Sequence, residues 1–127
     1  MDPGETIIGL DFGNHLWVVL SLPFDGVVAM VNITTHGRSP ACGEHCTVIQ
    51  PGEHPFVTRP SCVYFRKASL NPVEPLRAAR DQRSLNLHAP FSAELLRRVQ
   101  EATLESRLVI PSVKAAVERT LNPTGTD

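Results

Sequence analysis

Two apolar runs joined by an Asp-Gly pair constrain this chain more than any other feature of it. Leu16-Trp17-Val18-Val19-Leu20 is continuously apolar, as in a strand buried on both faces. Pro23-Phe24-Asp25-Gly26 follows, and Asp-Gly is the dipeptide that a tight hairpin turn prefers. Val27-Val28-Ala29-Met30-Val31-Asn32-Ile33 is a second β-branched run. The pattern predicts a β-hairpin. A parallel crossover needs a dozen or more residues between strands, and these connections are too short for one.

Further short strands are expected downstream. Cys46-Thr47-Val48-Ile49 is stopped by Pro51-Gly52, and Phe56-Val57-Thr58 is a weaker candidate. Pro60 confines any strand through it to an edge or a break. Ser61 to Arg66 alternates, with Cys62, Tyr64 and Arg66 on one face and Val63 and Phe65 on the other. The character then changes. Val73 to Arg83 reads as a short, Arg-bearing helix or irregular turn, with Pro72 and Pro75 against a long helix. Phe91 to Thr103 has helical periodicity, with Ser92 as N-cap and Glu94 four residues before Arg98. A last helix starts near Pro111 or Ser112 and stops at Asn122-Pro123. The fold class is therefore α+β: a small antiparallel β-barrel or curled sheet followed by two or three C-terminal helices. One domain over 1–127 is expected, strand-rich over 7–68, helical over 73–121 and frayed over 122–127.

Composition matters chiefly through its asymmetry. The 127 residues sum to a net charge of −1, but residues 1–55 hold six acids and one base, and the rest carries a net +4. The stretch 59–83 carries Arg59, Arg66, Lys67, Arg77, Arg80 and Arg83 against Glu74 and Asp81. That run suits phosphate contacts, and a solvated surface explains it equally well. No apolar run approaches the roughly 18 residues of a membrane-spanning helix, so no membrane partner is expected. The acidic N-terminus, without a basic leader, and the odd count of three cysteines point to a reduced, cytoplasmic protein.

Several residues have the chemistry of a site. The string His36, Cys42, His45, Cys46, His54 has the residue types of a zinc site but poor spacing, and no metal is assigned. His54 lies on a turn beside Glu53 and is held extended by Pro55, so it is a candidate for proton transfer or an ordinary turn histidine. Thr34 and Thr35 close a strand and precede His36, Gly37 and Arg38. Hydroxyl, imidazole and guanidinium together can bind and polarise a phosphodiester, or the threonines can satisfy nearby backbone. Arg59-Pro60-Ser61 has the makings of a phosphate-binding corner. Tyr64 is available to stack on a base, whereas Trp17 fits the core better. Phosphate-binding glycine loops, nucleophile elbows and zincin motifs are missing, which disfavours dehydrogenases, kinases, serine hydrolases and zincins.

Over residues 9–121, the order of these pieces resembles the MazF/PemK-like toxins of bacterial toxin–antitoxin modules. The likeness lies in His15-Leu16-Trp17-Val18-Val19-Leu20-Ser21, the strand closing in Asn32-Ile33-Thr34-Thr35, the short strand ending at Pro51-Gly52, the Ser61-Cys62-Val63-Tyr64 strand and the terminal helices. The resemblance implies an SH3-like barrel, usually dimeric, that cleaves single-stranded RNA without metal or other cofactor and is neutralised by a cognate antitoxin. It implies a hydroxyl from Thr34 or Thr35 and a position near the missing Arg for His15, so the catalytic set is His15, Thr35, Arg38 and His54. His54 or His15 moves the proton, Arg38 or Arg59 offsets the phosphate charge, and RNA is held by Arg59, Ser61, Tyr64, Arg66 and Lys67. This chain departs from the family at Gly13-Asn14-His15-Leu16, where the family carries a Gly-x-x-Arg-Pro type segment, and some 50 residues follow Tyr64. A non-catalytic nucleic-acid or protein-binding module on the same barrel is the alternative.

Overall fold

The computed structural model describes residues 1–9, 15–35 and 47–123, with the side chain of Thr35 excepted. The hairpin forms as its turn chemistry demands. Strand β2 (Leu16–Val19) pairs antiparallel with β3 (Val27–Thr35), Leu16 opposite Ile33 and Val19 opposite Met30. At the tip, Phe24 and Val27 exchange backbone hydrogen bonds of 3.0 and 3.1 Å across Asp25 and Gly26. These two have φ of 52° and 77°, the type I′ turn that matches strand twist.

The other strands add to either side. The short β1 (Thr6–Gly9) pairs with β2, and β5 (Ser61–Pro72) runs along β3 for almost all of its length. β4 (Val48–Ile49) pairs with the start of β5. After β5 the chain enters α1 (Val73–Asp81), then β6 (Leu85–His88), which pairs with β1. The described strands form one antiparallel sheet in the order β4-β5-β3-β2-β1-β6, curled into a half-barrel. Two helices follow, α2 (Ala93–Glu105) and α3 (Pro111–Leu121).

The expected fold class is thus met. The helical stretch after residue 73 nevertheless contains β6, which periodicity over four residues cannot reveal. Phe56-Val57-Thr58 forms no strand, and β4 begins at Val48. Ser92 caps α2 as expected, accepting a 3.1 Å hydrogen bond from Leu95 N–H. The anticipated Glu94–Arg98 pair is replaced by Arg97–Glu101 on the helix surface, because Arg98 is engaged elsewhere.

Both faces of the sheet are buried, which is why the two runs of the hairpin are apolar without alternation. On one face Leu16, Val18, Ala29, Val31, Ile33, Val63 and Phe65 pack against Leu95 and Val99 of α2 and Val113, Ala116 and Val117 of α3. On the other, Ile7, Trp17, Val19, Val28 and Met30 pack against Val73 and Leu76 of α1 and Leu85 of β6. Gln100 of α2 donates to Leu20 O at 2.9 Å, satisfying the strand end beneath it. Between the pairs Asn32–Tyr64 and Met30–Ser69, β3 has one residue, Val31, and β5 has four, Phe65 to Ala68. This bulge buries Phe65 and Ala68 and leaves Arg66 and Lys67 exposed.

Cys62 is buried and disulfide-bonded, to a partner outside the described residues. The expectation of free thiols, drawn from the odd cysteine count, fails here: an odd count leaves room for one bridge. Among the described residues, no helix is long and apolar enough to cross a membrane.

Candidate functional site

A pocket of about 420 Å³ opens at the end of the sheet where β2 begins, β3 ends and β5 begins. It is lined by His15, Ile33, Thr34, Phe56, Thr58, Arg59 and Ser61. The strand register explains the convergence. Thr34 lies opposite Cys62 and Thr35 opposite Ser61, so the hydroxyl-rich end of β3 meets the start of β5. His15 directly precedes β2, which pairs with the same end of β3. Pro55 and Pro60 bracket the segment that supplies Phe56, Thr58 and Arg59.

Arg59 is exposed, and among the described residues its guanidinium meets no acid. The Ser61 hydroxyl donates to Arg59 O at 3.0 Å, fixing the corner around Pro60. His15 is exposed to solvent. Phe56 keeps 38% of its surface exposed, with its ring edge-to-face against His88 at 5.7 Å. The pocket therefore combines a cation, hydroxyls, an accessible imidazole and an aromatic ring, a set suited to an anionic ligand with a planar group.

The structure brings together only part of the set read from the sequence. His15, Arg59 and Ser61 converge, and Thr34 supplies the hydroxyl at the pocket. Thr35 is described by its backbone alone, and Arg38 lies outside the described residues, as do His36, Cys42, His45 and Cys46. Tyr64 sits opposite Asn32 and is half-buried, while Arg66 and Lys67 stand on the bulge; none of the three lines the pocket. The basic run 59–83 is divided among elements. Arg77 pairs with Glu74 at 3.9 Å and Arg80 with Asp81 at 3.7 Å on α1, leaving Arg59, Arg66, Lys67 and Arg83 without acid partners among the described residues. Sequence reasoning misses Phe56 and Thr58 as pocket residues. The two flanking prolines are the available signal, since they hold a short segment rigid at a strand entrance.

His54 is placed differently from an acid–base catalyst. It is 2% exposed. Its Nε2–H donates to Ala89 O at 2.5 Å, and its Nδ1 accepts from Phe56 N–H at 3.1 Å. Both ring nitrogens are committed to the fold, in the neutral Nε2–H tautomer. Burial pushes its pKa below the ordinary imidazole value, the charge of nearby His88 lowers it further, and the bond to Ala89 opposes both. The turn position suggests an exposed imidazole, but the turn is folded inward against Phe91 and His88.

The fold and the pocket define an α+β domain whose curled antiparallel sheet carries a cationic, hydroxyl-rich site at one end. No family model, no curated protein and no solved structure matches the chain.

Proposed function

We propose that the sheet-end pocket binds a phosphodiester of single-stranded RNA and promotes its cleavage, in keeping with the MazF/PemK resemblance. The observation supporting this is the convergence of His15, Thr34 and the Arg59-Pro60-Ser61 corner, three chain segments, on one pocket. In this reading Arg59 pairs with the non-bridging phosphate oxygens and offsets the charge that develops on them. Thr34 positions the phosphate. His15 takes the proton of the adjacent 2′-hydroxyl, whose oxygen attacks phosphorus as the bond to the 5′-oxygen breaks. The leaving oxygen takes a proton from solvent, and a 2′,3′-cyclic phosphate results. The nucleophile is internal to the substrate, so positioning supplies much of the acceleration and the scheme calls on no metal. The same reading brings a cognate antitoxin competing for the pocket and a homodimeric state.

The experiment is incubation of purified protein with mixed-sequence single-stranded RNA, with and without EDTA. Cuts that persist in EDTA, carry 2′,3′-cyclic phosphate ends and disappear in His15→Ala support the reading. Intact RNA with folded protein overturns it.

A second reading is favoured by one observation. With His54 committed to the fold, His15 is the single imidazole among the described residues lining the pocket, so no histidine pair serves as base and acid. A binding module without turnover needs no such pair. It predicts RNA binding that weakens steeply with salt and leaves the RNA uncut.

A further inference from the structure

His54 connects the two edges of the curled sheet to the wall of the pocket. It follows β4, one edge strand, and its Nε2–H reaches the carbonyl of Ala89, just beyond β6, the other edge strand. That carbonyl also accepts from the Thr6 hydroxyl at 2.7 Å, so its acceptor capacity is filled. On the opposite side of the ring, Nδ1 accepts the N–H of Phe56, and Val57 N–H closes the turn onto His54 O at 2.9 Å. Phe56, Thr58 and Arg59 go on to line the pocket.

We propose that the His54 imidazole is a proton-controlled positioning group: neutral, it holds the Phe56–Arg59 wall of the pocket in place, and a second proton releases that wall. The chemistry is set by which atom the proton must occupy. Nε2 already carries a hydrogen pointed at Ala89 O, so the added proton goes to Nδ1. There it meets the Phe56 N–H, donor against donor, and the hydrogen bond is broken. The groups facing His54 offer no compensation. His88 of β6 has its ring centroid 5.2 Å away and adds repulsion when charged, Phe91 is apolar, and Glu53 next in the chain is taken up by Arg98 of α2. The lowered pKa of the ring agrees with this environment. Since the doubly protonated ring keeps its Nε2–H on Ala89 O, the hydrogen bond that yields is the one to Phe56. The turn 55–57 shifts, and Arg59 moves with it. The inference concerns the shape of the pocket and holds whatever the pocket binds.

The test is a pH titration of 15N-labelled full-length protein, following imidazole nitrogens and backbone amides by NMR from pH 8 to pH 5. At pH 8, His54 is expected as the Nε2–H tautomer. The amides of Phe56, Thr58 and Arg59 are expected to shift together on acidification, with the midpoint of the His54 ring, below the ordinary imidazole value of 6.5. In His88→Asn the shared midpoint rises, and in His54→Gln the shift of the three amides disappears. Should His54→Gln fail to fold, the shared midpoint in the unaltered protein and its rise in His88→Asn decide the matter. An Nδ1–H tautomer, a His54 midpoint at or above the ordinary imidazole value of 6.5, or Thr58 and Arg59 amides that ignore the titration of His54 each overturn the proposal.

Discussion

Arg98 grips Glu53 with both terminal guanidinium nitrogens, Nη1 to Oε1 at 2.8 Å and Nη2 to Oε2 at 3.0 Å. The same Nη2 donates to Val48 O at 3.0 Å. Glu53 in turn accepts from Gln50 N–H at 2.7 Å. A side chain from the centre of α2 thus fastens β4 and the turn that presents His54. The two-residue strand β4 has little pairing of its own, and this fork compensates for it.

Arg98→Ala should lower folding stability by about 1 kcal/mol, the upper range for a partly exposed ion pair. Arg98→Lys should recover little, because a point charge cannot span both oxygens and the carbonyl. Arg98 holds the Glu53 carboxyl below its ordinary value of 4.5, through hydrogen bonding first. The stabilisation from Glu53 is therefore present above pH 4.5 and lost as pH falls through the lower folded-state value. Urea midpoints measured across pH 3–7 should show that acid-side loss in the native protein and a smaller one in Arg98→Ala.

Gly26→Ala tests the hairpin turn alone. A Cβ there meets no atom within 4 Å, yet the backbone has φ of +77°, which only glycine adopts without strain. The expected loss is about 1 kcal/mol. A variant as stable as the parent would show that the turn relaxes to another type at no cost.

If the pocket cleaves RNA, Arg59 and the bulge cations should separate in kinetics. Arg59 lines the pocket and Arg66 and Lys67 do not. Arg59→Ala should lower kcat, since its guanidinium acts on the reacting phosphate. Arg66→Ala with Lys67→Ala should raise KM, leave kcat near its starting value and reduce the salt slope by about 0.7 for each phosphate no longer neutralised. Equal effects of the two variants on kcat would place the reacting phosphate elsewhere.

Local signals made the fold legible where they were strong. Asp25-Gly26 between β-branched runs specified the hairpin, the 61–66 alternation placed Val63 and Phe65 in the core, and Ser92 marked the start of α2. β6 escaped because Leu85-Asn86-Leu87-His88 is short, and its pairing with β1 joins segments far apart along the chain. At the site, residue types were readable but their destinations were not. His15 and Arg59 meet through the register of three strands, and the same curl that unites them turns His54 inward. An imidazole on a turn looks the same in sequence whether it faces solvent or closes a sheet.

His54→Ala is the substitution for which sequence and structure disagree most. From the sequence, the expectation is abolished RNA cleavage with an almost unchanged melting temperature. The structure reverses the second half. Removing a ring that is 2% exposed leaves a cavity beside Phe91 and His88 and strips Ala89 O and Phe56 N–H of their partner. The expected loss is about 2–4 kcal/mol, with a clear fall in Tm. The pH dependence follows from the lowered pKa. As pH falls below 6.5, the unfolded chain takes up a proton that the folded ring resists, so stability declines until the folded-state value is passed. Above 6.5 the group contributes no slope. Chemical denaturation at about pH 7.5, 6.0 and 5.0 should show this decline in the native protein and its reduction in His54→Ala. An unchanged Tm on the alkaline side of this range would mean that the sheet edges close without His54, and its hydrogen bonds would then be incidental to the fold.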